Sequence, residues 1–322
     1  MIPSADKIVI CFAHVAYRLQ ERFSVLETGV DSFAVPDPET LMKRVGEADV
    51  LVISGLWQNQ LLEQTKRLRF IQSIGAGTDQ FPRVELASRG IRLASARGVN
   101  ARAVAEHAIA LMLALNRRLP EARDNQRKRV WRGMIGDLSQ REDELSGKTL
   151  LVIGLGDIGG RLAQLAKAFD MRVVGLRRHP GFGCGAADAV HAMDELNLLL
   201  PDADFVALTC PLTAETENLI DAEALSRMKP TAHLVNVARG RVVDEAALIE
   251  ALATRRIAGA GIDVTAEEPL APSSPLWAME HVLITPHTAG ETRRYEDNVI
   301  EILLDNLGRL WRGETQLRNQ IV

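Results

Sequence analysis

Short apolar runs alternate with helix-patterned segments along almost the whole chain. Toward the N-terminus the runs are KIVICFA, DVLVIS, RFIQSIG and IRLASA; later come TLLVIG, RVVGL, FVALTC, HLVNVA, AGAGID and VLITP. Uninterrupted apolar runs of this kind, spaced by helices, are the pattern of parallel strands covered on both faces by crossover connections, and they predict an α/β fold. Two longer helical stretches break the rhythm, Asn100 to Leu119 and Glu291 to Gly313. Each falls where one set of strands stops and the next begins, so the chain is expected to cross between two doubly wound domains near residues 100 and 290. Residues 1–99 with 290–322 would form one, and 100–289 the other; 322 residues suffice for two separate cores.

Charge and cysteine usage exclude several classes. Lys and Arg number 38 against 42 Asp and Glu, a formal net charge of -4, so there is no broad basic face for nucleic acid. The densest basic run, Arg127 to Arg132, reads as a solvated helix face. No apolar run is long enough to span a bilayer, and the N-terminal segment reads as a first strand, not a signal peptide. Cys11, Cys184 and Cys210 are odd in number and lack CxxC spacing, which predicts no disulfide, no metal cage and a cytoplasmic, reducing environment.

The segment VIGLGDIGGRLAQLAKAF sets Gly154, Gly156 and Gly159 in GxGxxG spacing directly after the apolar run TLLVI and directly before a helical pattern. Such glycines permit a tight turn, a close approach of backbone to a pyrophosphate, and close helix packing, while the helix N-terminus offers N–H groups to the anion. A dinucleotide site is therefore expected. About 20 residues on, where a carboxylate would accept from a ribose 2′-hydroxyl, stand Arg177 and Arg178. Arginine suits a 2′-phosphate, with planar donors and a permanent charge, so NADP(H) is the expected cofactor and NAD(H) the secondary one. No carboxylate lies in GLRRHPGFGCGA to serve the alternative.

Arg239, Glu268 and His287 each sit at or just beyond the end of an expected strand, in VNVARG, EEPL and TPH. In open α/β sheets ligands bind outside the carboxyl ends of strands, so these side chains can converge. An arginine can grip a carboxylate through two N–H groups, and a histidine can exchange a proton near neutral pH.

The ordered set GLGDIG, VNVARG, EEPL and TPH, with VNARAVAEHAIALML upstream, resembles the D-isomer-specific 2-hydroxyacid dehydrogenases, the group that contains glyoxylate/hydroxypyruvate reductases and phosphoglycerate dehydrogenases. The resemblance covers nearly the whole chain. It implies a Rossmann nucleotide-binding domain and a flavodoxin-like substrate domain with the active site in a cleft between them, and a homodimer formed through the nucleotide-binding domain. It implies that Arg239 binds the carboxylate of a 2-keto acid, that His287 protonates the carbonyl oxygen, and that Glu268, in preference to Glu267, pairs with His287 and raises its pKa. Asp263 would contact the nicotinamide amide, with Val104 near the ring. Asp157, Ile158, Cys210, Pro211, Val237, Ala238, Ala289 and Gly290 would line the rest of the cofactor site. Ala76 and Gly77, in IQSIGAGTDQF, would offer backbone N–H groups to the substrate carboxylate; a tight turn using positive φ at Gly75 and Gly77 is the plainer reading. Leu56 and Trp57 are candidates for the pocket wall, a surface aromatic patch or a partner contact. The stretch Leu119 to Glu142 would be the arm that crosses to a second subunit, with Trp131 as its anchor or as a plug within one subunit.

Other readings are weaker. Formate-type relatives carry glutamine where this chain has Glu268, and phosphite oxidation expects a lysine that GAGTD lacks. A regulatory-tailed phosphoglycerate dehydrogenase would need more chain after TPH. A non-catalytic dinucleotide sensor would not need Arg239, Glu268 and His287 together. His107 reads as a core histidine, and His14, His179, His191, His233 and His281 have no acidic partner at a telling spacing.

Overall fold

The computed structural model describes residues 2–322. The chain forms two compact units, Met1–Asn100 with Thr292–Val322, and Ala101–Glu291. In the first, strands β1 (Val9–Ala13), β2 (Asp31–Val35), β3 (Val50–Ile53), β4 (Phe70–Ser73) and β5 (Arg92–Ala94) alternate with helices α1 (Leu19–Ser24), α2 (Pro38–Arg44) and α3 (Arg83–Ser88). The second holds α4 (Ala101–Asn116), α5 (Leu119–Lys128), β6 (Thr149–Ile153), α6 (Asp157–Lys167), β7 (Arg172–Leu176), β8 (Ala189–His191), α7 (Leu196–Leu199), β9 (Phe205–Leu208), α8 (Ala222–Arg227), β10 (His233–Asn236), α9 (Glu245–Ala253), β11 (Gly259–Ile262) and β12 (Val282–Ile284). Helix α10 (Tyr295–Trp311) returns the chain to the first unit.

Every pairing in both sheets is parallel. The first sheet runs β2-β1-β3-β4-β5, the doubly wound order of flavodoxin-like domains, and the second runs β12-β11-β10-β9-β6-β7-β8, a Rossmann order with one added strand. All four residues of β3, β4, β9, β10's last three and β11 are buried, as strands covered on both faces must be. Helix starts follow local chemistry: Asp37, Asp221 and Asp244 accept from Thr40 N, Ala224 N and Ala247 N and so cap α2, α8 and α9. In the first unit α10 lays Val299, Ile302, Leu303 and Leu307 into the core, and fully buried Asn306 donates to Gln72 Oε1 and accepts from Arg318 N.

Four elements differ from the sequence reading. The edge strands β2 and β8 carry no continuous apolar run: β2 buries only Val35 fully and β8 is three half-buried residues. The helix expected over Asn100 to Leu119 ends at Asn116, because Arg118 adopts a left-handed φ of 47° and a second helix starts with Pro120 in its first turn. The helix expected from Glu291 begins only at Tyr295.

At the start of β10, His233 stacks on Phe205, with ring centroids 5.3 Å apart. Burial first, then the charges of His281 and Lys148, pushes its pKa down from 6.5 to about 4. The unfolded chain therefore takes up a proton below pH 6.5 that the folded chain refuses until about pH 4. Stability from this residue is full above that window and is lost as pH falls through it. His281, lowered chiefly by burial, acts in the same direction. Thermal midpoints measured from pH 8 to pH 4 should fall in the acid half, and His233→Gln should shrink that fall by a few degrees while lowering the midpoint at pH 8.

Candidate active site

The six strands from β7 to β12 in sheet order are in register, and the row Leu176, Ile153, Leu208, Asn236, Ile262, Ile284 runs across their carboxyl ends. Every candidate residue of this unit outside the helices emerges within a few positions of that row. Gly154 follows Ile153, Arg177 follows Leu176, and Arg239 and His287 follow Asn236 and Ile284 after the same short interval.

The glycine loop occupies the point between β6 and β9 where the strand order reverses. Gly154 has φ +104°, and a Cβ there would lie 2.6 Å from Cys210 N; a Cβ on Gly159 would lie 2.2 Å from Gly154 O. Internal packing alone demands those two glycines. Gly156 differs: a Cβ on it meets nothing within 4 Å, and as N-cap of α6 it supplies no side-chain cap. The first turn of α6 thus starts beside open space at a residue with no side chain, which fits a pyrophosphate. Cys210 is buried, with its thiol pushed up to about 11 by desolvation, and serves as packing. Val104, Val237 and Ala289 share one core cluster, Ala238 lies buried in another, Ile158 and Gly290 are half-buried, and Asp157 and Pro211 are exposed.

Arg177 and Arg178 stand directly past β7. Arg177 N donates to His191 O at 3.1 Å, and its Nη1 reaches Gly183 O at 3.4 Å. Arg178 Nη2 lies 3.9 Å from Glu215 Oε2, both side chains well exposed. The carboxylate absent from the local sequence therefore arrives from the loop after β9. A hydrogen bond from the Thr213 hydroxyl, and then Arg178's charge among weaker causes, holds the Glu215 carboxyl below its usual range. One expectation fails at this edge: His191 does have an acidic partner, Glu195, at 2.9 Å. The pair sits at an i,i+4 spacing that spans the end of β8 and a helical turn.

Arg239 projects into solvent from the turn after β10. Buried Asn236 shapes that turn, accepting from Ala238 N at 3.0 Å and donating to Arg239 O at 3.1 Å. Arg239 Nη1 donates to Ala238 O at 2.7 Å. The next residue, Gly240, lies so close to the loop after β11 that a Cβ would sit 1.9 Å from the Thr265 carbonyl carbon. That loop carries Glu268, whose Oε1 accepts from Thr265 N at 3.2 Å. Its Oε2 lies 2.7 Å from His287 Nδ1, leaving Nε2 of the ring without a partner among the described residues.

His287 has φ +54°, a left-handed conformation uncommon outside glycine and held only where surroundings over-determine it. The cause is Asp263, 3% exposed. Its backbone carbonyl accepts from His287 N at 2.8 Å, and its Oδ1 accepts from the Thr285 hydroxyl at 2.6 Å, Thr288 N at 3.0 Å and Ala289 N at 3.3 Å. Ala289 N is shared with Oδ2, which it approaches more closely at 3.1 Å. Asp263 is thus an organiser of the His287 turn, a role that its proposed amide contact did not anticipate, and Asn236 plays the same part for Arg239. Both are polar residues at strand ends in otherwise apolar runs, which was the available signal. His107 is a second departure: it reaches Thr285 Oγ1 at 2.9 Å and is not a purely apolar core residue.

In the other unit, Ala76 and Gly77 are exposed beyond β4, and neither N–H finds an acceptor among the described residues. Neither Gly75 nor Gly77 has positive φ, so the tight-turn reading does not hold. Trp57 is 7% exposed, packs against Phe81 and donates to Asn59 Oδ1, which places it in the core, neither at the surface nor at a partner contact. Leu56 is half-buried against the same cluster. Trp131 is 98% exposed, which removes the plug reading.

Residues 109–289 match the family model described as D-isomer specific 2-hydroxyacid dehydrogenase, NAD binding domain. The chain is 35% identical to the glyoxylate/hydroxypyruvate reductase B of Pectobacterium carotovorum subsp. carotovorum, over 93% of this chain and 92% of that protein. It is 37% identical to the D-3-phosphoglycerate dehydrogenase of Synechocystis sp., over 74% of this chain and 42% of that longer protein. A crystal structure of a D-isomer specific 2-hydroxyacid dehydrogenase family protein from Aeromonas salmonicida superposes with a TM-score of 0.84 at 29% identity, covering 98% of this chain and 99% of that one.

Two substitutions separate packing glycines from a ligand-facing one. Gly154→Ala should cost roughly 2 kcal/mol or more, through the φ and the Cys210 backbone, and lower the thermal midpoint by several degrees. Gly156→Ala should leave the midpoint within about a degree yet weaken dinucleotide binding about tenfold by fluorescence titration, each ordered N–H contact being worth roughly 1 kcal/mol.

Proposed function

This chain belongs to the D-isomer-specific 2-hydroxyacid dehydrogenase family of oxidoreductases, and from that premise we propose that it reduces small 2-keto acids of the glyoxylate and hydroxypyruvate kind to D-2-hydroxy acids, with NADPH preferred and NADH secondary. The observation that carries the reading is the His287–Glu268 contact of 2.7 Å on the loops beside the Arg239 turn.

The bound nicotinamide supplies a hydride to the carbonyl carbon. The chain's own residues do the rest. Arg239 grips the substrate carboxylate through two N–H groups and draws charge onto the carbonyl oxygen. Glu268 holds Nδ1 of His287, which fixes the ring and leaves Nε2–H to deliver the proton to that oxygen. Asp263 keeps the ring where it is by fixing the turn beneath it. In the other unit Ala76 and Gly77 carry two N–H groups with no acceptor among the described residues, which supports their reading as a nest for a carboxylate. Leu56 borders that loop's strand end and would contribute to the pocket wall.

Arg177 and Arg178 support the NADPH preference, as adjacent permanent cations at the end of β7. Glu215 beside Arg178 works against it, since its carboxylate competes with a phosphate for that guanidinium. The exposed apolar residues Leu119, Val130, Trp131, Met134 and Leu138 all lie in the arm between α4 and β6, and a homodimer that covers them is proposed. No described helix is long and apolar enough to cross a membrane, and all three cysteines are free, which supports a cytoplasmic placement.

Initial rates with NADPH and NADH against glyoxylate, hydroxypyruvate, pyruvate and phenylpyruvate test the activity. Two arginine contacts at roughly 1.5 to 3 kcal/mol each predict a preference of about a hundredfold or more in kcat/KM, abolished by Arg177→Ala with Arg178→Ala. His287→Asn should lower kcat by about a hundredfold to ten-thousandfold; equal use of both cofactors by the unaltered protein would remove the NADPH assignment. Size-exclusion chromatography with light scattering should give twice the chain mass, and Trp131→Asp with Met134→Asp should return it to one.

A further inference from the structure

The His287 turn is held from below by a chain of polar groups that begins on a helix. His107 lies in the middle of α4, with its side chain 23% exposed, and its Nε2 is 2.9 Å from Thr285 Oγ1. The Thr285 hydroxyl in turn lies 2.6 Å from Asp263 Oδ1. A hydroxyl has one proton. Asp263 Oδ1 already accepts from two backbone N–H groups, of Thr288 and Ala289, so it is an acceptor and the hydroxyl proton goes to it. Thr285 Oγ1 can then only accept from the imidazole, which fixes His107 with its proton on Nε2.

We propose that His107 is a positioning residue for His287: its Nε2–H orients the Thr285 hydroxyl toward Asp263, and this keeps Asp263 and the turn it organises in the geometry that aims the His287 ring. The proposal rests on the reading of His287 as proton donor. The physical need is specific. His287 sits at φ +54°, a conformation that relaxes unless its N–H and those of Thr288 and Ala289 stay bonded to Asp263. Without the imidazole N–H the hydroxyl is free to turn away, and Oδ1 loses its shortest donor.

The test uses the full-length protein with three variants. His107→Gln keeps an N–H near the position of Nε2, His107→Leu removes it, and Thr285→Val removes the hydroxyl at similar volume. Two quantities are read: kcat with KM for keto acid and dinucleotide, and amide hydrogen exchange across residues 285–289 in the ligand-free protein. His107→Leu should lower kcat about tenfold with both KM values nearly unchanged, and should speed exchange at His287, Thr288 and Ala289 about tenfold, one hydrogen bond's worth. His107→Gln should recover to within about threefold of the unaltered protein, and Thr285→Val combined with His107→Leu should be no worse than Thr285→Val alone.

Unchanged kcat and exchange in His107→Leu would overturn the proposal, as would equal damage from His107→Gln and His107→Leu, or additive losses in the double variant. If His107→Leu does not fold, Thr285→Val with and without His107→Gln decides by the same rule. His287→Asn separates the premises. Full turnover in that variant removes His287 as donor while the exchange data still judge the link from His107. An inactive His287→Asn beside a His107→Leu with normal turnover and exchange removes the link alone.

Discussion

A parallel strand buried on both faces has no length to spare for polar chemistry. Its side chains alternate into two apolar layers, and its backbone groups are consumed by neighbouring strands. Reactive groups can appear only where the strand stops, and in a sheet of one direction all the stops on one side fall along one edge. The register of the second sheet makes that edge a single row, Leu176, Ile153, Leu208, Asn236, Ile262 and Ile284. The glycine loop, the arginine pair, Arg239, Asp263 and His287 are what the chain does immediately after leaving it.

Close packing then fixes how those loops lie on each other. Gly154 and Gly159 are needed so that the turn after β6 fits against Cys210 and Thr209, and Gly240 so that the Arg239 turn lies on Thr265. Each contact locks one loop's position to its neighbour's, which is how residues far apart in sequence come within 2.7 Å, as Glu268 and His287 do. Two buried polar residues complete the arrangement. Asn236 closes the Arg239 turn and Asp263 closes the His287 turn, each by saturating backbone N–H groups that would otherwise be orphaned. Supports of this kind fix where the Arg239 and His287 backbones leave the sheet.

The nucleotide end of the edge is built differently. Arg178 and Glu215 are well exposed and 3.9 Å apart, a contact that solvent screens. Two cations and one carboxylate meet there in solvent. The His287 end is a matter of fixed geometry.

The repeating apolar runs were enough to give the α/β class and ten of the strands, because burial on both faces writes itself into sequence as uninterrupted apolar residues. The edge strands β2 and β8 were invisible because DSFAV and AVH carry no such run, whereas the opposite edges β5 and β12 carry Leu93 and Val282 to Ile284 within runs long enough to show. The spacing of glycines announced the loop, and Arg239, Glu268 and His287 stood out by residue type at expected strand ends. What the sequence could not express was adjacency. That Glu215 faces Arg178, that Glu195 pairs with His191, that Trp57 is core and Trp131 is bare, and that His107, Thr285 and Asp263 form one chain under His287 depend on loops brought together by strand order and register. Those distances exist only once the sheet has formed, because a parallel sheet joins residues that are distant along the chain.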